Sequence, residues 1–198
     1  TESMFEVPGS RWAVVSDDSQ RDGLMVMTES RYGFGCLSGM MHVSLVRSPK
    51  VTPTRGDADT TSFGANKSME VSDIGMHHVN LAIGHFTADA PREMNPAVLA
   101  ETRFRETVTY TGKPVTSPII DMEGGQSLIP TWIKPMEDGS MLLRLNETLG
   151  QRGQMQLKLV DGYKAVMTDL RGEPTGKPSE ELCVDYRPYM LTTVRIGK

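Results

Sequence analysis

Four histidines, a scatter of carboxylates and two serines in polar surroundings are the side chains here that could do chemistry. His77, His78 and His85 lie close enough in sequence to raise a metal site. The residues around them alternate. His77, Val79, Leu81 and Ile83 make one stripe, opposed by His78, Asn80 and Ala82, which predicts a strand. On a strand His77 and His85 share a face but stand ~27 Å apart at ~3.4 Å per residue. His77 and His78 point to opposite faces. No H-E-x-x-H, H-x-D or Cys/His pair supplies a ligand set. Strand histidines with hydrogen-bonded rings are the expectation.

Carboxylates such as Asp57, Asp59, Asp73, Asp121, Glu123, Glu137 and Asp138 are plentiful. Sequence alone pairs none of them at the ~5 Å separation of a retaining glycosidase or at the wider inverting spacing. Ser127 and Ser140 lie in no G-x-S-x-G elbow. Gly33-x-Gly35 and Gly124-Gly125 lack the strand-to-helix context of a phosphate loop. By its own residues the chain does not read as a complete enzyme.

The elements that would position these groups are strands. Gly23–Pro49 reads as strand, tight turn, strand: Leu24–Met27 is apolar, glycines and serines follow, and Met41, Val43 and Leu45 then alternate with His42 and Ser44. Pro49 removes a backbone donor and should stop that strand. Further strands are expected at Arg103–Tyr110, Met141–Asn146, Met155–Leu159 and Met190–Ile196. Asp138-Gly139 and Asp161-Gly162 are hairpin signals. One helix is plausible, Pro96–Arg103, with Asn95 as N-cap and Pro96 at the first helical position. Many short strands between Gly, Pro and Asp turns predict an all-β sandwich. Ser48–Ser72 is a long polar loop, and Gly112–Pro118 is a Pro-rich connector after which the strand pattern restarts. A boundary there divides the chain into 1–115 and a smaller unit, 116–198.

The chain has 198 residues, 38% of them hydrophobic and 23% charged, ordinary for a soluble globular protein. A net charge of −4 makes no case for nucleic acid or an anionic membrane. No apolar run approaches the ~20 residues of a membrane span. Cys36 and Cys183 are the only cysteines. They form no metal motif, and both are expected free and partly buried. They leave the compartment open, with the cytoplasm favoured. The segment TESMFEVPGS is no signal peptide and lacks an initiator Met, so the chain reads as a processed product or a piece of something longer. The 14 methionines lie along strand-like segments as core filling. Trp12 and Trp132 sit in apolar stretches and are expected in the core.

Several segments in order carry a family likeness. They are Phe5–Pro8, Arg11–Ala13 with Ser16, Arg31–Gly33, Ser44–Pro49, Asp73–His77, Lys134–Gly139, Leu143–Glu147 and Pro188–Ile196. Together they resemble the C-terminal β region of family 38 glycoside hydrolases, the zinc-dependent α-mannosidases, and most of all their bacterial and vacuolar/cytosolic branch. The likeness departs from the family's pattern at Thr28-Glu29, at Gly84-His85 and at Asn146.

The resemblance implies the later strands of a large β-sandwich (1–115) followed by a small terminal β-sandwich (116–198). It implies a parent enzyme that cleaves terminal α-mannose with retention. Zinc, the Asp nucleophile and the acid–base carboxyl all reside in an N-terminal catalytic domain outside this chain. That domain and the α-mannoside are the implied partners. This chain would carry no zinc and no turnover of its own, and would scaffold and wall the active site. Arg47 is the implied sugar contact, as a guanidinium suited to vicinal hydroxyls, and Tyr32 a second one. Arg47 pairing with a loop carboxylate such as Asp57 or Asp59, and Tyr32 packing on its own hairpin, are the structural alternatives. The competing functional reading is an independent carbohydrate-binding or interaction β-sandwich module. A piece separated from its neighbours would also expose apolar surface and self-associate.

Overall fold

The computed structural model describes residues 3–48, 73–106, 109, 111–112 and 116–198. Its strands fall into four antiparallel sheets, two built from residues 3–87 and two from residues 119–197. The first pair comprises β1 (Ser3–Pro8), β2 (Trp12–Ser16), β3 (Asp22–Thr28), β4 (Gly33–Leu37), β5 (Met40–Val43) and β6 (Leu81–Thr87). They assemble as β1-β4-β5 and β2-β3-β6. A 3₁₀ turn at Arg92–Met94 leads into α1 (Pro96–Phe104). The second pair comprises β7 (Ile119–Gly124), β8 (Leu128–Pro135), β9 (Met141–Glu147), β10 (Gly153–Leu159), β11 (Lys164–Thr168), β12 (Glu181–Tyr186) and β13 (Leu191–Gly197). They assemble as β12-β10-β7 and β11-β13-β9-β8. The protein is all-β, as expected, with one short α-helix among the described residues.

The opening stretch is three strands rather than one hairpin. β3 pairs with β2 and β6, whereas β4 pairs with β1 and β5. The chain changes sheets at Thr28–Tyr32. There the Thr28 hydroxyl donates to the Arg31 carbonyl (2.6 Å) and accepts from the Arg31 amide (3.0 Å). That local closure competes with continued strand pairing. The hairpin is β4–β5, turned by Ser38 (φ 52°) and Gly39 (φ 72°). Positive φ at both central positions suits a two-residue turn between twisted strands. Strand β5 ends at Val43, and the stopping role given to Pro49 lies outside the described residues. So does nearly all of the Ser48–Ser72 loop.

The strand expected from His77 starts only at Leu81, so His77 and His78 precede it. Arg103 and Phe104, expected in a strand, form the last turn of α1, and Arg105 is its C-cap. Thr107, Val108 and Tyr110 lie outside the described residues. The helix wins because Asn95 Oδ1 accepts from the Ala97 amide at 2.9 Å and Pro96 supplies a preset φ. Leu99, Ala100 and Phe104 then pack on Met25, Met27 and Phe86. This contact covers only the inner face of sheet β2-β3-β6. On its other face Val26 stands opposite Ile83, and Leu24, Leu81 and Ile83 are exposed, Ile83 by 71%.

The second sandwich closes over Leu128, Leu143, Leu145, Met155, Leu157, Val184, Val194 and Ile196, all essentially inaccessible. Asp138-Gly139 turns β8 into β9 as expected. Asp161-Gly162 does not make a hairpin. β10 and β11 belong to opposite sheets, so the turn carries the chain across the sandwich. The reason is pairing: β10 already has β7 on one side and β12 on the other. Cys183 is exposed rather than partly buried, and Cys36 is half-buried; both are free.

Trp132 is the instructive departure. In β8, Leu128 faces Glu147 and Pro130 faces Leu145, but Trp132 then faces Arg144 because Thr131 is an extra residue. This bulge inverts the alternation. Trp132, of the same parity as Leu128, therefore turns away from the core and is 41% exposed.

Candidate functional site

Sheet β1-β4-β5 carries a cleft of about 400 Å³ that holds both sequence-derived candidates, Arg47 and Tyr32. Strand β1 brings Glu6 and the turn after β3 brings Ser30, Arg31 and Tyr32. The segment after β5 brings Ser44 to Arg47, and Asp73 and His77 close the rim. Pairing persists beyond β5, since the Ser44 amide donates to the Gly33 carbonyl at 2.9 Å. The Tyr32 carbonyl accepts from the Gly9 amide at 2.8 Å. The backbone is thus held at Tyr32 and, three residues ahead of Arg47, at Ser44.

Arg47 Nη2 stands 2.8 Å from Glu6 Oε1, and its side chain is 73% exposed. Its partner is a strand residue; Asp57 and Asp59 lie outside the described residues. Gly33 explains how Glu6 reaches it. A Cβ there would lie 2.5 Å from Glu6 Cδ and 2.7 Å from Oε2, so any larger residue would push the carboxylate out of this position. Tyr32 is 56% exposed at the cleft, rather than packed away on the hairpin. On the rim, His77 Nε2 lies 2.9 Å from the Asp73 carbonyl oxygen. Arg31 reaches the Ser30 carbonyl and hydroxyl through Nη1, and its buried Nε has no partner. The cleft therefore offers two guanidiniums, a phenol, an imidazole and two carboxylates. That set suits hydroxyl-bearing or carboxylate ligands.

Two carboxylates inside the cleft or on its rim do not make a glycosidase pair, because Glu6 is committed to Arg47 and Asp73 is a rim residue. Among the described residues no group of three or more His, Cys, Asp or Glu is placed to hold a metal ion. His85 instead lies 3.8 Å from Asp22 and His77 bonds backbone.

Glu147 was legible in sequence only as part of a motif. It is 1% exposed. Its carboxylate accepts from the amides of Leu149 (3.0 Å), Gly150 (2.9 Å), Gln151 (3.0 Å) and Tyr189 (2.8 Å). Burial opposes its ionisation, but the Tyr189 amide and the other surrounding donors outweigh that and hold its pKa below the ordinary value. A carboxylate saturated by amides has no lone pair free for acid–base chemistry, so its role is to hold the turn and Tyr189. Tyr189 needs holding, since its φ is 58°. The signal that could have found this was the run Glu147-Thr-Leu-Gly150, a carboxylate just ahead of a glycine turn.

Comparison with known proteins bears on the whole arrangement. A curated relative, Alpha-mannosidase G of Dictyostelium discoideum, is 30% identical over 149 residues. The match takes in 74% of this chain but only 12% of the relative. Residues 127–194, which run from the start of β8 into β13, match the model of the glycosyl hydrolases family 38 C-terminal beta sandwich domain. Together the two matches support family 38 of the glycosyl hydrolases, and its C-terminal β region, as the relationship of this chain.

Proposed function

We propose that this chain is the non-catalytic C-terminal β portion of an α-mannosidase-like retaining glycoside hydrolase. The observation that carries the reading is the match of residues 127–194 to the family 38 C-terminal sandwich, over strands that do form a sandwich here. Residues 1–115 contribute to a large β-sandwich, and 116–198 form the small terminal one. The catalytic carboxylates and the zinc belong to an N-terminal domain, which is this chain's principal partner. The β1-β4-β5 cleft is the part of the active-site wall that this chain supplies. Arg47, aimed by Glu6, donates paired hydrogen bonds to sugar hydroxyls, and Tyr32 lies against the same ring. Separated from that domain, the chain self-associates through the exposed Leu24, Leu81 and Ile83 of sheet β2-β3-β6.

The test is kinetic. In the full-length protein, Arg47→Ala is expected to lower kcat/KM on an aryl α-mannoside by about tenfold, as for loss of one positioned hydrogen-bonding group. Unchanged kinetics would remove Arg47 from the site. The isolated chain is expected neither to hydrolyse the mannoside nor to retain zinc in equilibrium dialysis. Turnover by the isolated chain would overturn the reading.

A further inference from the structure

A second, larger concavity of about 1080 Å³ runs between α1 with the start of β2 on one side and strands β8 and β9 on the other. Its walls are tied together. Arg92 donates to the Gly124 carbonyl through Nη2 (2.6 Å) and to the Leu128 carbonyl through Nε (3.2 Å). Asn95 Nδ2 donates to Thr148 Oγ1 at 2.9 Å. The concavity is therefore a fixed groove rather than a gap between loose bodies.

Both tryptophans of the chain border it, Trp12 from the first half and Trp132 from the second. Trp132 is there because of the Thr131 bulge, which costs β8 its regular pairing and delivers an indole to the groove. The Arg144 guanidinium lies 4.6 Å from the ring centroid and is itself anchored, donating to the Leu170 carbonyl at 2.8 Å. The guanidinium thus makes a cation–π contact with the indole, and Trp132 lines the groove. Tyr189, in the left-handed backbone conformation that Glu147 supports, contributes a third aromatic ring. Around these rings lie an amide (Asn146), a hydroxyl (Thr131) and a carboxylate (Glu101).

We infer that this groove binds a neutral oligosaccharide, with Trp132 as the platform for one pyranose ring. A pyranose has an apolar face and a hydroxylated edge, which suits flat rings flanked by side chains that both donate and accept. A strained residue and a bulge that both present aromatics to one groove are backbone distortions of the kind that accompany sites. The dimensions suit several rings rather than one, since pockets of about 300–1,000 Å³ hold whole drug-sized ligands. Among the described residues that line the groove, Arg105 is the single cation, too few to track a phosphate backbone. The inference stands independently of the glycosidase reading and guides only the first choice of sugar.

Isothermal titration calorimetry, which does not depend on the side chain being replaced, is the readout, with mannotriose and cellotriose as probes. Saturable binding of at least one is expected at about millimolar or tighter Kd. Trp132→Ala, with unchanged far-ultraviolet circular dichroism, should weaken it by about tenfold or more, while Trp132→Phe keeps most of it. Cellotriose binding without mannotriose binding would uphold the groove and count against the mannosidase-derived choice of sugar. No saturable heat with either sugar up to about 10 mM would overturn the inference. So would binding indifferent to Trp132→Ala. Binding lost with Arg47→Ala but kept in Trp132→Ala would place the sugar in the other cleft and overturn it equally.

Discussion

Glu147 keeps its charge inside the second sandwich only because four amides surround it. Glu147→Gln replaces one acceptor oxygen with a donor that faces those amides. A loss of about 3 kcal/mol is expected at pH 7, as for breaking a buried charged hydrogen-bond set. The pH dependence has a definite sign. The folded pKa lies below the ordinary value of 4.5, so the stabilisation is fully present above pH 4.5 and fades as pH falls through the folded value. Urea unfolding of both proteins should show the gap at neutral pH and its closure in acid. A gap that persists in acid would mean the charge is not what matters. Glu6 is the opposite case. Its pair with Arg47 is largely exposed and contributes under about 1 kcal/mol. Glu6→Gln should therefore leave the melting temperature nearly unchanged while altering KM for the mannoside in the full-length protein. Gly33→Ala should do the same to KM, because its Cβ would displace the Glu6 carboxylate. A KM unmoved by both changes would leave the pair without a role in orienting Arg47.

At the scale of elements, period and capping carried most of what could be read. The alternation in Met155–Leu159 became β10, whose Met155, Leu157 and Leu159 face the core. Asn95 and Pro96 announced α1 from chemistry alone. What stayed hidden depended on partners distant in sequence. Nothing local says that β3 and β4 join different sheets, or that β10 already has both neighbours and must send β11 across the sandwich. The Thr131 bulge is equally silent, so apolar context alone placed Trp132 in the core. The Arg47 cleft was legible only through family likeness, because Glu6 reaches Arg47 across paired strands 41 residues apart in sequence. The double duty of Asn95 leads to a prediction. It caps α1 and also donates to Thr148 across the groove. Asn95→Asp keeps the capping oxygen but removes that donor, whereas Asn95→Ala removes both. Loss of the cap should cost about 1 kcal/mol, and loss of the cross-groove bond about as much again. Thermal unfolding should therefore rank the wild type above Asn95→Asp, and Asn95→Ala last. Equal stability of the wild type and Asn95→Asp would show that the cross-groove bond contributes nothing.

The molecule as a whole is unevenly finished. The second sandwich has two sheets that close on each other around one core. In the first half, sheet β2-β3-β6 has apolar residues on both faces, and α1 takes only one. On the other face Val26 and Thr28 are buried, but Leu24, Leu81 and Ile83 stay exposed beside them, and among the described residues β6 is an edge strand. An apolar face next to an open strand edge is the arrangement that pairs with another chain. In the longer glycoside hydrolase proposed for this chain, a neighbouring layer of the same polypeptide would cover it. In the isolated chain a second copy is the available cover. The isolated chain should therefore sediment above monomer mass at micromolar concentration. Ile83→Lys, which puts a charge in the middle of the edge strand, should shift it to monomer without lowering the melting temperature, since Ile83 is 71% exposed. A wild type that scatters light as a monodisperse monomer would mean that this face is stable in water as it stands. The uncovered sheet would then be a finished surface, and the case for a missing layer above it would fall with the association.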